Sequence, residues 1–289
     1  MKVYFRELTA DDIPAIRKIS KDIWDGEDYV PHVIENWLED ESCMNYGSFL
    51  DEEMKEMVGF GRVKLFDKEI AWLEGGRVRE ENQKQGIGRQ MIQYALDFAL
   101  SVKVKRAQYA TSSKNLGSKA LAKFFKFREK KRMNVLDAEK GDILHVDSPL
   151  LKVKKLTAKE VKEHYSHFDI GEGEEICKGW SYKPLKYISD EDGEWYISNS
   201  RAILQKIKVK NLSIEEGPVE DDAWLVVYGE PDAAYYLVLY TLQEEFTDGK
   251  SNNFAVFCSP EIATFIEKIG FKYHDGEPYG VILFEKPLK

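Results

Sequence analysis

Residues 83–89 read Gln-Lys-Gln-Gly-Ile-Gly-Arg, between a run of strand character, Ile70–Arg79, and a run of helix character, Ile87–Leu100. A strand, a turn with two glycines and a helix start bring several backbone N–H groups around one point. The glycines let the backbone approach a ligand closely. The helix start adds four N–H groups with no partner inside the helix and the positive end of its dipole. Such a junction cradles phosphate without a cationic side chain. The spacing is Gln83-x-x-Gly86-x-Gly88, which is neither the G-x-G-x-x-G of dinucleotide folds nor the Gly-x4-Gly-Lys-Ser/Thr of the P-loop.

The chain has 289 residues, enough for two domains of ordinary size. With 43% hydrophobic and 12% aromatic residues it can fill two cores. No apolar run approaches the length that crosses a bilayer, and Met1–Glu7 has no signal-peptide core. Cys43, Cys177 and Cys258 lie far apart and suggest neither a disulfide framework nor a metal pair. These features lead to the expectation of a cytoplasmic protein that does not enter membranes. The formal charge of -9 argues against a nucleic-acid partner, which would need a basic face. His164-x-x-His167 has no third ligand at useful spacing, so no metal is expected.

Alternation over residues 3–8, followed by Thr9-Ala10-Asp11-Asp12, predicts a strand and a capped helix from Ile13, with Pro14 in its first turn. A second helix is expected over about 31–38, and strands near 46–50 and 57–65 joined by Asp51-Glu52-Glu53. Then come the strand 70–79, the glycine turn, a helix over 87–101, a strand over 107–111 and a helix over 115–127. Residues 137–149 suit a linker.

The Gln83-x-x-Gly86-x-Gly88 loop resembles the pyrophosphate loop of the GNAT superfamily of acyl-CoA-dependent N-acetyltransferases. The element order is also that of a GNAT domain. Asn115–Phe127 is similar to the family's Asn-x-x-Ala/Ser-x-x-Leu-Tyr-x-x-x-Gly-Phe segment, with Ala122 at the Tyr and Lys126 at the Gly. The second half echoes the first: Ala223–Gly229 resembles the strand before the loop, Phe254–Cys258 the next strand, and Ile262–Phe271 the closing helix. There Gly229-Glu230-Pro231-Asp232 replaces the loop, with one glycine, a proline without an N–H and two acids that repel phosphate. The resemblance therefore implies an α/β GNAT fold, a mixed central sheet flanked by helices, over residues 1–142. A degenerate GNAT-like domain follows over 143–289.

What the resemblance implies for chemistry is a direct transfer of acetyl from acetyl-CoA to a primary amine of a small molecule or peptide, with no metal. Amines of pKa about 10 are protonated at neutral pH, so a base is needed. The N–H of Val78 would meet the acetyl carbonyl, and Val78 and Arg79 would pair with the pantetheine. The N–H groups of Gln83, Lys84, Gln85, Gly86, Ile87, Gly88 and Arg89 would hold the pyrophosphate. Asn115 is either a pantetheine contact or a helix cap. Glu74 is the expected base, sharing a face with Gly76 and Val78 by period two, or else an edge carboxylate paired with an arginine such as Arg77. Tyr109 is the nearest acid, although a thiolate leaves tolerably without one. Asp28 and Tyr29, with Asp25 and Glu27, lie where the family builds its acceptor site, and Trp24 is expected in the core. The resemblance leaves open a monomer or homodimer. Two rival functions remain: a non-catalytic acyl-CoA-binding regulator, and an aminoacyl transferase built on tandem GNAT-like domains.

Overall fold

Local sequence sets the first elements. Strand β1 (Tyr4–Glu7) turns through Thr9, and Asp12 closes the turn by accepting from the Thr9 N–H at 2.8 Å. Helix α1 (Ile13–Ser20) follows, with Pro14 in its first turn, where its missing N–H has no role. The computed structural model describes residues 1–21, 23–26, 28–144, 152–165, 168, 174–210, 221–248 and 251–289. The side chains of Trp24 and Asp25, the whole of Glu27 and His167, and the linker residues Asp147-Ser148-Pro149 lie outside that description.

Helix α2 (Val30–Glu39) and strands β2 (Cys43–Phe49), β3 (Met57–Phe66) and β4 (Ile70–Val78) come next. Helix α3 (Ile87–Ser101), strand β5 (Arg106–Ser112), helix α4 (Leu116–Phe125) and strand β6 (Arg128–Glu139) complete the first half. Residues 137–139, expected in a linker, are the end of β6. Lys126, at the family's glycine position, closes α4 with φ +59, so it adopts the backbone that a glycine would take more cheaply.

The second half holds β7 (Val153–Leu156), α5 (Ala158–His164), a hairpin of β8 (Glu175–Lys178) and β9 (Ser181–Pro184), then β10 (Glu194–Ser198) and β11 (Ala202–Lys210). It ends with β12 (Asp221–Gly229), α6 (Pro231–Asp248), β13 (Ser251–Cys258), α7 (Pro260–Ile266) and β14 (Gly280–Pro287). Its order repeats the first half. β2, β3 and β4 are antiparallel neighbours, and β4 then runs parallel to β5. β10, β11 and β12 are likewise antiparallel, and β12 runs parallel to β13.

Among the described residues these strands, apart from the hairpin, form one twelve-stranded sheet in the order β1-β2-β3-β4-β5-β14-β6-β13-β12-β11-β10-β7. Each half gives its last strand to the other. β14 lies against β5 along all of Arg106–Ser112, and β6 lies against β13 from Asn134 to Glu139. The two exchanged strands pair with each other at the centre. The sheet therefore runs without a break through both halves.

Alternation along the strands sends side chains to two faces. On one face, Ile87 and Met91 of α3 and Phe125 of α4 pack over Val63, Leu73 and Tyr109, and α6 and α7 pack over Leu204, Leu225 and Val256. On the other, Ile16, Val30 and Ile34 of α1 and α2 cover Phe60. There too α5 and the β8–β9 hairpin cover Val135, Phe257 and Val281. In β14, Ile282 joins the first face while Val281 and Leu283 join the second, so one strand completes both cores.

Because one edge of β5 pairs with β14, the first half by itself leaves that edge open. Residues 1–142 expressed alone should show no cooperative unfolding transition in urea, whereas the full chain should show one. A sharp transition in the fragment would contradict this.

Candidate active site

The defining geometry is a parting of two strands. β4 and β5 pair only at Ile70 with Arg106, Ala71 with Ala107 and Trp72 with Gln108. Both continue, to Val78 and Ser112, without further pairing to each other. The corresponding strands of the second half, β12 and β13, stay paired from Asp221–Ser251 to Val226–Phe257. The first half therefore has an opening between its parallel strands where the second half is closed.

A bulge in β4 accompanies the parting. Across from Phe60 and Arg62 of β3, β4 advances from Arg77 to Glu74, an extra residue. Gly75 supplies the turn with φ +64, and any Cβ there would sit 2.6 Å from the Trp37 ring. The bulge reverses the phase of the strand. Glu74 lies opposite Arg62, and Arg77 opposite Phe60, so these two share the face of α1 and α2. Val78 packs in the α3 cluster instead. Period two, which would put Glu74 and Val78 on one face, fails because of this extra residue.

Past β4 the chain makes a short turn over residues 80–82 and enters the glycine loop. Gly86 caps α3 in the left-handed conformation, φ +84, and a Cβ built on it meets no atom within 4 Å. Among the described residues, no protein acceptor takes the N–H groups of Lys84, Gln85, Gly86, Ile87, Gly88 or Arg89. Gln83 differs from the sequence expectation. Its N–H donates to the Glu80 carbonyl at 3.0 Å, and its side chain donates to the Val78 carbonyl at 3.2 Å, tying the loop to the strand end. Arg79 also differs. Its N–H donates to Val58 and its carbonyl accepts from Asn82, so its backbone belongs to the turn. Successive N–H groups of a strand point to opposite edges. With Arg79 directed at β3, the Val78 N–H is directed at the opening.

Asn115 caps α4, its Oδ1 accepting from the Ser118 N–H at 2.9 Å. The residue is exposed. The Arg89 guanidinium lies 3.8 Å over the Phe124 ring, close to the loop. Ala122, at the family's tyrosine position, is buried, 2% exposed.

Glu74 is half-buried, its side chain 24% exposed. Trp72 Nε1 donates to its Oε2 at 3.1 Å, and Arg62 Nε stands 3.6 Å from its Oε1. Burial raises its pKa above the ordinary carboxylate value, and the Arg62 charge opposes the rise. Its cation is thus Arg62, not Arg77. Tyr109 does not join it. It lies on the other face, its hydroxyl donates to the Ser118 carbonyl at 3.0 Å, and burial pushes its pKa up to about 12.

Asp28 is also placed differently from expectation. It is 2% exposed, and Arg77 grips it through two nitrogens at 2.7 and 3.0 Å. Its charge is answered inside the chain, leaving none for an incoming amine. Tyr29 is 36% exposed, packs edge-on to Trp37 and carries the Arg77 guanidinium 5.5 Å from its ring. Sequence reasoning missed Arg62, a lone arginine in an apolar strand, and the contacts of the second half. Phe66 at the end of β3 packs its ring at a tilt against Tyr187, centroids 5.2 Å apart, and Asp67 pairs with Lys186.

Residues 13–127 match the model of the family described as acetyltransferase (GNAT) family. No protein of curated function matches the sequence. Among solved structures, the chain is similar to a candidate acetyltransferase from Pyrococcus horikoshii, with TM-score 0.60 and 18% identity, covering 99% of this chain and 90% of that one. It is also similar to a candidate acetyltransferase from Thermoplasma acidophilum, with TM-score 0.59 and 15% identity, covering 99% and 100%. A GCN5-related N-acetyltransferase from Sphaerobacter thermophilus gives TM-score 0.61 and 10% identity, covering 99% and 95%. These likenesses extend the fold over both halves.

The Asp28–Arg77 pair gives a test of the site's scaffold. Removing one partner leaves a buried charge alone, which typically costs 3–5 kcal/mol. Arg77→Met should therefore lower the unfolding free energy by about 3–5 kcal/mol in urea titration. A loss below about 1 kcal/mol, the worth of an exposed pair, would show that the pair is not holding the α2 start to the bulge.

Proposed function

From an acetyltransferase domain of the GNAT family over residues 13–127, we propose that the chain transfers acetyl from acetyl-CoA to a primary amine of a small molecule or peptide. The observation that carries this reading is the conjunction of six unpaired N–H groups at the start of α3 with the opening between β4 and β5. What supports a pyrophosphate at the loop is its run of unpaired donors, a helix dipole that favours anions, and the open space beside Gly86. The adjoining opening fits a linear arm, with the Val78 N–H directed into it and Asn115 at its rim. Lys84 and Arg89 add positive charge nearby.

The acceptor amine approaches from the face of α1 and α2, where Glu74 stands. Glu74 takes the amine proton through a water, the amine attacks the thioester directly, and the Val78 N–H stabilises the oxygen as it gains charge. The thiolate departs without Tyr109, since a thiol of pKa about 8.5 leaves tolerably on its own. Tyr29, Trp37 and Trp72 give the acceptor side aromatic walls.

In this proposal residues 1–142 carry the catalytic machinery, and 143–289 form a degenerate second copy that holds no cofactor. The second loop is filled from within. Arg201 pairs with both Glu230 and Asp232, and its carbonyl takes the Glu230 N–H at 2.9 Å. A Cβ on Gly229 would lie 2.2 Å from that carbonyl. The second half instead contributes Tyr187 and Lys186 against the end of the β3–β4 hairpin, supporting the acceptor side.

Gly86→Asp puts a side chain and a negative charge at the phosphate position, and it should abolish acetyl-CoA binding in calorimetry. The paired change Glu230→Gln with Asp232→Asn should leave affinity within about twofold, because one site per chain is expected. Undiminished affinity in Gly86→Asp, or a second mole of acetyl-CoA bound, would overturn the assignment. Glu74→Gln should keep acetyl-CoA affinity and lower the rate on the best amine of a broad panel by about 10²–10⁴. The loss should shrink as pH rises, because free amine is then neutral without help. If acetyl-CoA binds but no amine speeds CoA release, the chain is an acyl-CoA-binding regulator.

A further inference from the structure

The proposal below rests on Glu74 as base. Arg62 is 4% exposed in the middle of β3, and three contacts fix it. One Nη donates to Asp40 at 2.6 Å and to the Cys43 sulfur at 2.8 Å. The guanidinium also stacks on the Trp37 ring at 4.6 Å, the ring that Gly75 leaves room for. Its Nε is buried with no hydrogen-bond acceptor among the described residues. It lies across the β3–β4 register from Glu74 Oε1, 3.6 Å away. A buried N–H of an arginine without a partner costs energy, so its place there calls for an explanation.

We propose that Arg62 is the positioning residue of the base, holding the Glu74 carboxylate in place and ionised at the mouth of the opening. The cation is bolted to α2 and β2 on one side and offers a single directed N–H on the other. Glu74 is also faced by Lys64 from β3, by Asp40 from the α2–β2 turn, by Tyr29 at the start of α2, and by Trp72 on its own strand. Lys64 helps in the same direction but is far more exposed than Arg62. Asp40 and burial oppose ionisation. Without Arg62 the carboxyl should bind its proton at higher pH, and the base should be lost over a wider acid range.

Arg62→Met keeps length and apolar bulk but removes the charge. The Glu74 carboxyl should then titrate about one pH unit higher, the low end of what an adjacent opposite charge does. This is read by carbon-13 NMR of labelled glutamate, with the signal assigned through Glu74→Gln, and it needs no acceptor. The acid limb of kcat/KM on the best amine should move up with it. On that acid limb kcat should fall about tenfold and the loss should fade as pH rises, while KM for acetyl-CoA stays within about twofold. Arg62→Lys retains a charge without the two-ended fork and should give a smaller shift in the same direction. If Arg62→Met does not fold, the Lys variant carries the test. Combined with Glu74→Gln, the Arg62 change should cost almost no further rate. An unmoved Glu74 titration, or equal rate losses with and without Glu74, would overturn the role of Arg62. A normal rate in Glu74→Gln alone would instead remove the base itself, a separate failure.

Discussion

The structure turns on hydrogen bonds that β4 and β5 do not make. Two parallel strands in register would normally continue pairing, as β12 and β13 do through Val226 and Phe257. After Trp72 and Gln108 the first-half strands stop. Their freed N–H and C=O groups must find partners, because unpaired backbone is costly away from water. Water or a bound arm can supply them. The bulge at Gly75 belongs to the same arrangement. It turns Glu74 to one face and Val78 to the other, so the proposed base and the backbone proposed to meet the acyl group lie on two sides of one strand.

The parting is held from below by a buried polar cluster. Gln108, at the last paired position, donates to Glu175 of the β8–β9 hairpin at 2.8 Å and to Glu285 of β14 at 2.6 Å. Lys130 of β6 reaches both carboxylates, at 3.1 and 2.8 Å. Lys131 donates to the Glu175 carbonyl at 2.5 Å, and burial drops its pKa to about 8. Such networks are stabilising only when nearly complete and fix one geometry when they are. Here strands from both halves and the hairpin meet at the apex of the opening. Gln108 Oε1 and Glu175 Oε2 have no hydrogen-bond partner among the described residues.

Much of this was legible in the residues. The strand–glycine–helix junction announced the loop, and helical spacing placed α3 and α4 within a residue or two. Glu74 stood out as a carboxylate inside an apolar strand. What escaped were consequences of long-range pairing. Nothing local in Gly280–Pro287 says that it lies beside β5 rather than β13. The doublet Gly75-Gly76 permits a bulge, but only the opposing strand shows that one forms and inverts the pattern. Asp28 read as an available anion because Arg77, its partner across 49 residues, is invisible to spacing. Backbone capacity at the loop was overstated for the same reason: Gln83 and Arg79 use their own amides in the turn that shapes it.

The exchange of last strands also sets the order in which the protein can be made. Domains commonly fold from the N-terminus as they leave the ribosome, at about 5–20 residues per second. Gly280 and Ser113, hydrogen-bonded neighbours in the sheet, are 167 residues apart in the chain. At that pace β5 emerges about ten to thirty seconds before the strand that completes it. Through that interval it presents an open edge of the kind that pairs with other chains. The surroundings of that edge are accordingly polar at its start, with Arg106 and Gln108, and carry Lys103 and Lys105 just before it. The nascent first half is thus committed to wait, and the same topology that joins the two halves makes their synthesis the period of greatest exposure to misassembly.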